Sequence, residues 1–89
     1  MTELRKAIDH RLMARMDYRR EDGEASTRVI WPLGLVFWGT KWTLGAWCEL
    51  RNDFRTFRLD RILELSILPS QFPDLPGRRF KEYISQASG

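Results

Sequence analysis

The sequence holds a single cysteine, Cys48, so no disulfide can close within the chain. Small extracellular domains commonly depend on such bridges, and a cytoplasmic protein is expected instead. The single histidine, His10, has no partner at metal-ligand spacing and reads as a solvated residue. A Ser/His/Asp set, a metal cluster and a glycine-rich phosphate loop are all missing. Neither an enzyme nor a cofactor is therefore expected. Long apolar runs are missing too: none approaches the roughly 18 residues of a membrane span. Charged residues make up 30% of the chain, and a membrane is not an expected partner. Glu3, Arg5 and Lys6 stand ahead of any apolar run, which is unlike a signal peptide. Lysine is scarce: Lys6, Lys41 and Lys81 are the only three, so twelve of the fifteen bases are arginine. Arginine presents a planar fork that suits phosphate and carboxylate and stacks on rings.

What is present is enough bulky material for one small core. The 89 residues leave room for a single domain, and 43% of them are hydrophobic, with four tryptophans. Thr2 to Leu12 reads as a helix, with Thr2 as cap, Glu3 at its positive end and Arg11 at its negative end. Leu4, Ala7, Ile8 and Leu12 form its apolar stripe, and a helix this short needs a surface to pack on. Period-two alternation follows. Ala14, Met16 and Tyr18 share one face of a first strand, Ala14 to Arg20. Asp22-Gly23 suits a tight hairpin turn. A second strand, Ala25 to Phe37, contains Pro32 and Gly34, which predict an edge, a bulge or a bend. Gly39-Thr40 predicts the next turn.

Lys41 to Leu50 and Arg55 to Leu59 read as a hairpin turning at Asn52-Asp53. Trp42, Leu44, Ala46 and Cys48 share one face of it, and so do Phe57 and Leu59, so all are expected in the core. Met16, Ile30 and Ile62 should join them, with Cys48 buried and inert. Asp60-Arg61-Ile62 reads as a helical turn, and Leu63 to Leu68 as a fifth strand with apolar residues on both faces. Pro69 to Gly77 should be irregular, and Arg78 to Gln86 a last helical turn or two carrying Phe80, Tyr83 and Ile84. The fold expected is mainly β: a five-stranded SH3-like or Sm-like barrel with an N-terminal helix. Residues 1–72 would form the barrel domain. Residues 73–89 would be a tail or the start of a truncated extension.

Three segments carry a family resemblance. Arg28 to Pro32 reads Arg-x-x-x-Pro. Trp42-Thr43-Leu44 stands where a Trp-Tyr-Leu tripeptide gives one family its name. Arg55 to Ile62 reads Arg-x-Phe-Arg-x-Asp-Arg-Ile. In this order and spacing they resemble the WYL domain, a small barrel found behind a helix-turn-helix domain in bacterial transcription regulators. The resemblance runs from about Leu4 to Phe72. It implies an Sm-like architecture and a basic groove for a nucleotide-containing or single-stranded nucleic acid ligand. DNA would then be bound through a helix-turn-helix domain absent from this chain. Whether the chain is cut from a longer protein or stands alone is left open.

On that reading Arg28, Arg55 and Arg61 form the floor of the groove and Arg51 and Arg58 its rim. Thr43 occupies the tyrosine position of the ligand set and supplies no ring, so ring stacking would come from Trp47. Strand parity sets Arg55 and Arg58 on opposite faces, so their convergence requires a curved strand. The alternative is a solvated Arg58, with Arg61 and Arg55 paired to Asp60, Asp53 or Glu49, and Asp60 is expected to hold one guanidinium in place. Trp31 and Trp38 are expected to bury against the helix or a partner subunit, while Trp47 is open to burial or stacking. A protein-interaction or dimerisation barrel, with a second copy of the chain as one partner, is the competing function.

Overall fold

The computed structural model describes residues 2–20 and 22–88. The order is α1 (Thr2–His10), β1 (Leu12–Arg19), β2 (Ala25–Trp38), β3 (Lys41–Cys48), β4 (Asp53–Arg58), a 3-10 turn (Leu59–Arg61), β5 (Ile62–Gln71) and α2 (Phe80–Ser88). The helix α1 ends two residues before the expected Leu12. Arg11 takes a left-handed φ of 54°, and its N–H donates to the Ile8 carbonyl, so the chain turns at once into β1. The capping role of the Thr2 side chain and the place of Glu21 in the first turn lie outside the described residues.

The strands form one antiparallel sheet in the order β4-β3-β2-β1-β5. Each expected turn is present. Gly23 and Gly39 take positive φ, and Asn52 does so at 53° at the end of the β3–β4 loop. That loop starts earlier than expected, because β3 stops at Cys48 and Leu50 is exposed. Pro32 sits at a register shift between Pro32 and Gly34, with Leu33 as the extra residue. It is buried, yet it lies past Ile30, where the β1–β2 ladder ends. Its missing N–H therefore costs no ladder bond on that side. The long β2 thus serves β1 with its first half and β3 with its second, and the bulge between them bends the sheet.

β5 runs beyond its expected end at Leu68, through Pro69 to Gln71. This corrects the expectation that the stretch from Pro69 is irregular throughout. β5 is an edge strand, and its pairing to β1 shifts between Ile67 and Gln71, so Pro69 falls in an irregular stretch that needs no donor. The sheet is not closed. No ladder joins β4 to β5, and the expected barrel is an open one with a seam on that side. Side chains hold the seam: the Arg58 N–H donates to the Tyr18 hydroxyl at 3.0 Å, and the Tyr18 ring meets Phe57 edge-on at 5.0 Å.

The inner face carries the main core: Leu4, Ala14, Met16, Ile30, Leu44, Ala46, Cys48 and Phe57, with Ile8, Leu59 and Ile62 half-buried against it. The α1 stripe lies on this core as expected. Trp42 does not belong to it. It is 48% exposed, because it sits one pleat beyond Leu44 near the tip of the β2–β3 hairpin, where Phe37 meets it edge-on at 5.2 Å.

A second core covers the outer face. Trp31, Trp47 and Phe72 are buried together, with Met13, Leu33 and Phe54 packed around them. Phe72 stacks on Trp31 at 5.4 Å. Residues 73–79 then lead into α2, whose Tyr83 is buried against β3 and β4. A Cβ at Gly34 would overlap the Phe80 ring, and one at Gly45 the Tyr83 ring, so both glycines are seats for α2 aromatics.

Candidate functional site

β4 is the strand from which the site is built. Its one ladder is to β3, so its other edge faces the seam. The Arg58 N–H reaches Tyr18 across that seam, so it points away from β3. Backbone groups alternate along a strand, and those of Thr56 point the same way. An open cleft of about 570 Å³ lies along this edge, lined by Tyr18, Arg20, Asp22, Arg55, Thr56, Arg58 and Arg61. Arg55 and Arg58 come from opposite faces of β4. They meet in the cleft because an edge strand presents both faces to a groove beside it. Arg61 is added by the 3-10 turn, and Arg20 by the β1–β2 hairpin.

The cations differ in their commitments. Arg58 is clamped by Asp60, from Nε to Oδ1 at 3.1 Å and from Nη2 to Oδ2 at 2.7 Å. Lys41 Nζ approaches the same carboxylate at 3.8 Å. The hydrogen bond from Arg58, then the charges of Arg58, Lys41 and Arg61, hold the Asp60 carboxyl below its ordinary range. Arg20 lies 3.6 Å from Asp22. The Arg55 guanidinium has no hydrogen-bond or ion-pair partner among the described residues, and Arg55 is exposed in the cleft.

The other residues read as ligand-binding are placed elsewhere. Arg28 is 6% exposed on the inner face, opposite Met16. Its Nε donates to Ser26 Oγ at 3.1 Å, Nη1 lies 3.9 Å from Cys48 Sγ, and the guanidinium sits 5.9 Å from the Phe57 ring centre. It is a buried cation without a carboxylate among the described residues, packed on the ring that Tyr18 also touches. Arg51 is exposed in the β3–β4 loop and does not line the cleft. Thr43 is buried on the outer face, its hydroxyl donating to the Val36 carbonyl at 2.7 Å. Trp47 is also buried there, with the Arg78 guanidinium 4.3 Å from its ring, so stacking from it would require the Arg78 segment to move off. Glu49 accepts from Trp31 Nε1 at 2.7 Å, and Asp53 accepts from the Phe54 N–H. Sequence reasoning missed Tyr18, Arg20 and Thr56. Arg20, beside the Asp22-Gly23 turn, was legible as a hairpin-end cation, but only the fold brings that hairpin to β4.

No three His, Cys, Asp or Glu side chains among the described residues are grouped to hold a metal. No helix among them is long and apolar enough to cross a membrane.

Known proteins agree with this architecture. The chain is 41% identical over 66 residues to an uncharacterised helix-turn-helix-type transcriptional regulator, YobV of Bacillus subtilis (strain 168), covering 74% of this chain and 21% of that protein. It is 40% identical over 43 residues to the DNA-binding transcriptional repressor CapW of Escherichia coli, covering 48% of this chain and 14% of the repressor. Among solved structures, the proteasome accessory factor B/C of Arthrobacter aurescens superposes with a TM-score of 0.73 at 25% identity, over 84% of this chain and 13% of that one. The chain thus spans about a fifth or less of the length of these relatives. The WYL domain profile matches residues 1–67, the helix and nearly all of the sheet, and the chain belongs to the WYL domain family.

Proposed function

We propose that this domain is the ligand-sensing part of a transcription regulator and binds a nucleic acid or nucleotide-like anion in the cleft along β4. The observation that carries the reading is the convergence of Arg20, Arg55, Arg58 and Arg61 on one open cleft, with Arg55 uncommitted. Thr56 adds an edge N–H beside them, a neutral donor suited to a phosphate oxygen. Arg28 contributes from within: a buried cation behind the Phe57 ring raises the potential at the cleft without touching the ligand. The domain performs no chemistry in this reading. A ligand that favours one of two arrangements of the longer protein biases DNA binding by a helix-turn-helix domain outside this chain.

The test is a titration of short single-stranded oligonucleotides at several salt concentrations. Wild type binds, and affinity falls steeply as salt rises. Arg55→Ala weakens binding and lowers the log–log salt slope by roughly 0.7 for each phosphate it no longer neutralises. Arg5→Ala, on the exposed face of α1, leaves both unchanged. Equal losses in the two variants would mean diffuse attraction and no groove.

A second reading has one observation of its own. Phe37 and Trp42 are 53% and 48% exposed at the hairpin tip, an apolar pair suited to a partner protein or a second copy. Such an interface would respond weakly to salt.

A further inference from the structure

We infer that the arginine cleft is one end of a longer track for a single strand, and that Trp38 is the base-stacking platform at its other end. The inference rests on the cleft being a nucleic-acid site, and it names the ligand class: a strand of several nucleotides, not a mononucleotide.

Register places the track on one face. Trp38 is directly opposite Lys41, and Thr43 is directly opposite Arg58. Lys41 and Thr43 are two apart on β3, so Trp38, Lys41, Thr43 and Arg58 all share the outer face. The polar groups of this row are linked: Lys41 Nζ is 3.8 Å from Asp60 Oδ2, and that oxygen accepts from Arg58 at 2.7 Å. Two cations, Lys41 and Arg58, thus flank the Asp60 carboxylate. Arg58 belongs both to the row and to the cleft, so the two meet at that residue. Two inter-strand spacings and two residues of rise set Trp38 and Arg58 roughly 12 Å apart. A mononucleotide in the cleft cannot span that distance as well as fill the cleft.

Trp38 is the tryptophan with a free face. Trp31 and Trp47 are buried, and Trp42 is engaged by Phe37. Trp38 is 44% exposed and has no ring contact among the described residues. It is held in the sheet at a tight turn through Gly39, so little freedom is lost when a base stacks on it. Cations tracking phosphates with an aromatic platform beside them are the usual means of sequence-tolerant single-strand binding. Duplex bases are already stacked and offer no free face.

The experiment measures anisotropy of a labelled oligothymidylate of about six nucleotides, its RNA counterpart, an abasic oligomer of the same length and a duplex. Trp38→Ala is expected to weaken both base-bearing single strands roughly 5- to 100-fold and to leave the abasic oligomer and the duplex unchanged. Trp38→Phe restores most of the loss. Trp42→Ala, on the other face of β3, has no effect, and Arg55→Ala weakens every single-stranded probe. If Arg55→Ala weakens binding and Trp38→Ala does not, the track is wrong while the cleft reading stands. If Trp38→Ala and Trp42→Ala reduce all probes alike, the tip is a general binding surface and the stacking platform is refuted. If wild type binds none of the probes, or Arg55→Ala has no effect, the cleft reading falls and the track falls with it.

Discussion

Asp60 shows how much a single residue can be read from sequence and where that reading stops. Its place between Arg58 and Arg61 indicated a clamp, and the bidentate bond to Arg58 is that clamp. The further tie to Lys41 was not legible, because it joins the end of β4 to the start of β3. Strand parity argued against convergence of the arginines, and only the freedom of an edge strand overrides it. The clamp predicts a pH dependence. The Asp60 pKa is lowered from 3.8 on folding, so its stabilising effect is complete above that value. It is lost as pH falls below 3.8 through the folded-state pKa. Asp60→Asn should therefore melt slightly below wild type at neutral pH, and the gap should close in strong acid. Melting curves across pH check this, and a gap that persists in acid would show that Asp60 acts through something other than its charge.

Among the elements, α2 departs furthest from its sequence signal. Phe80, Tyr83 and Ile84 marked one side of a short helix, but nothing indicated what that side covers. The partners are absences of side chain: Gly34 reads as a bend, Gly45 carries no signal of its own, and they are seats for the two rings. Parity alone also misplaces Trp42 and leaves Trp47 open. Trp42 shares parity with the core but lies beyond its end, while Trp47, on the opposite face, is covered by a second core that period two does not reveal. The Tyr83 hydroxyl also bonds Thr56 Oγ1, so α2 is fastened to the strand that lines the cleft. Gly45→Ala should cost about 1–3 kcal/mol by overpacking, although alanine is otherwise no worse than glycine in a strand. In a Tyr83→Ala background the same change should be neutral or stabilising, since the clash is gone. Chemical denaturation of the four proteins in this cycle measures it. An equal loss in both backgrounds would mean that Gly45 matters for its backbone and that α2 does not rest there.

The whole molecule is an open sheet with a core on each face and its cleft-lining charges gathered at the one seam. The hairpins and turns were legible because alternation and turn residues are local signals, whereas the pairing of β1 with β5 is long-range. The seam was not, since closure depends on how far β4 and β5 curve toward each other. This arrangement links binding to global stability through Cys48. That thiol has no exposed surface, on the strand next to β4 and packed in the inner core with Phe57. A thiol reagent reaches it only when β3 opens, and opening β3 dismantles β4 and the cleft together. Labelling of native protein should therefore be slow, and rapid labelling would contradict the register of β3. Saturating ligand should slow it further, by the factor that ligand binding adds to the native state, about a hundredfold at 100 times the dissociation constant. The measurement is the labelling rate against concentration of an oligonucleotide whose affinity is known from titration. A rate that ignores a demonstrably bound ligand would place the binding site away from β4, because only a ligand held elsewhere survives the opening that exposes Cys48.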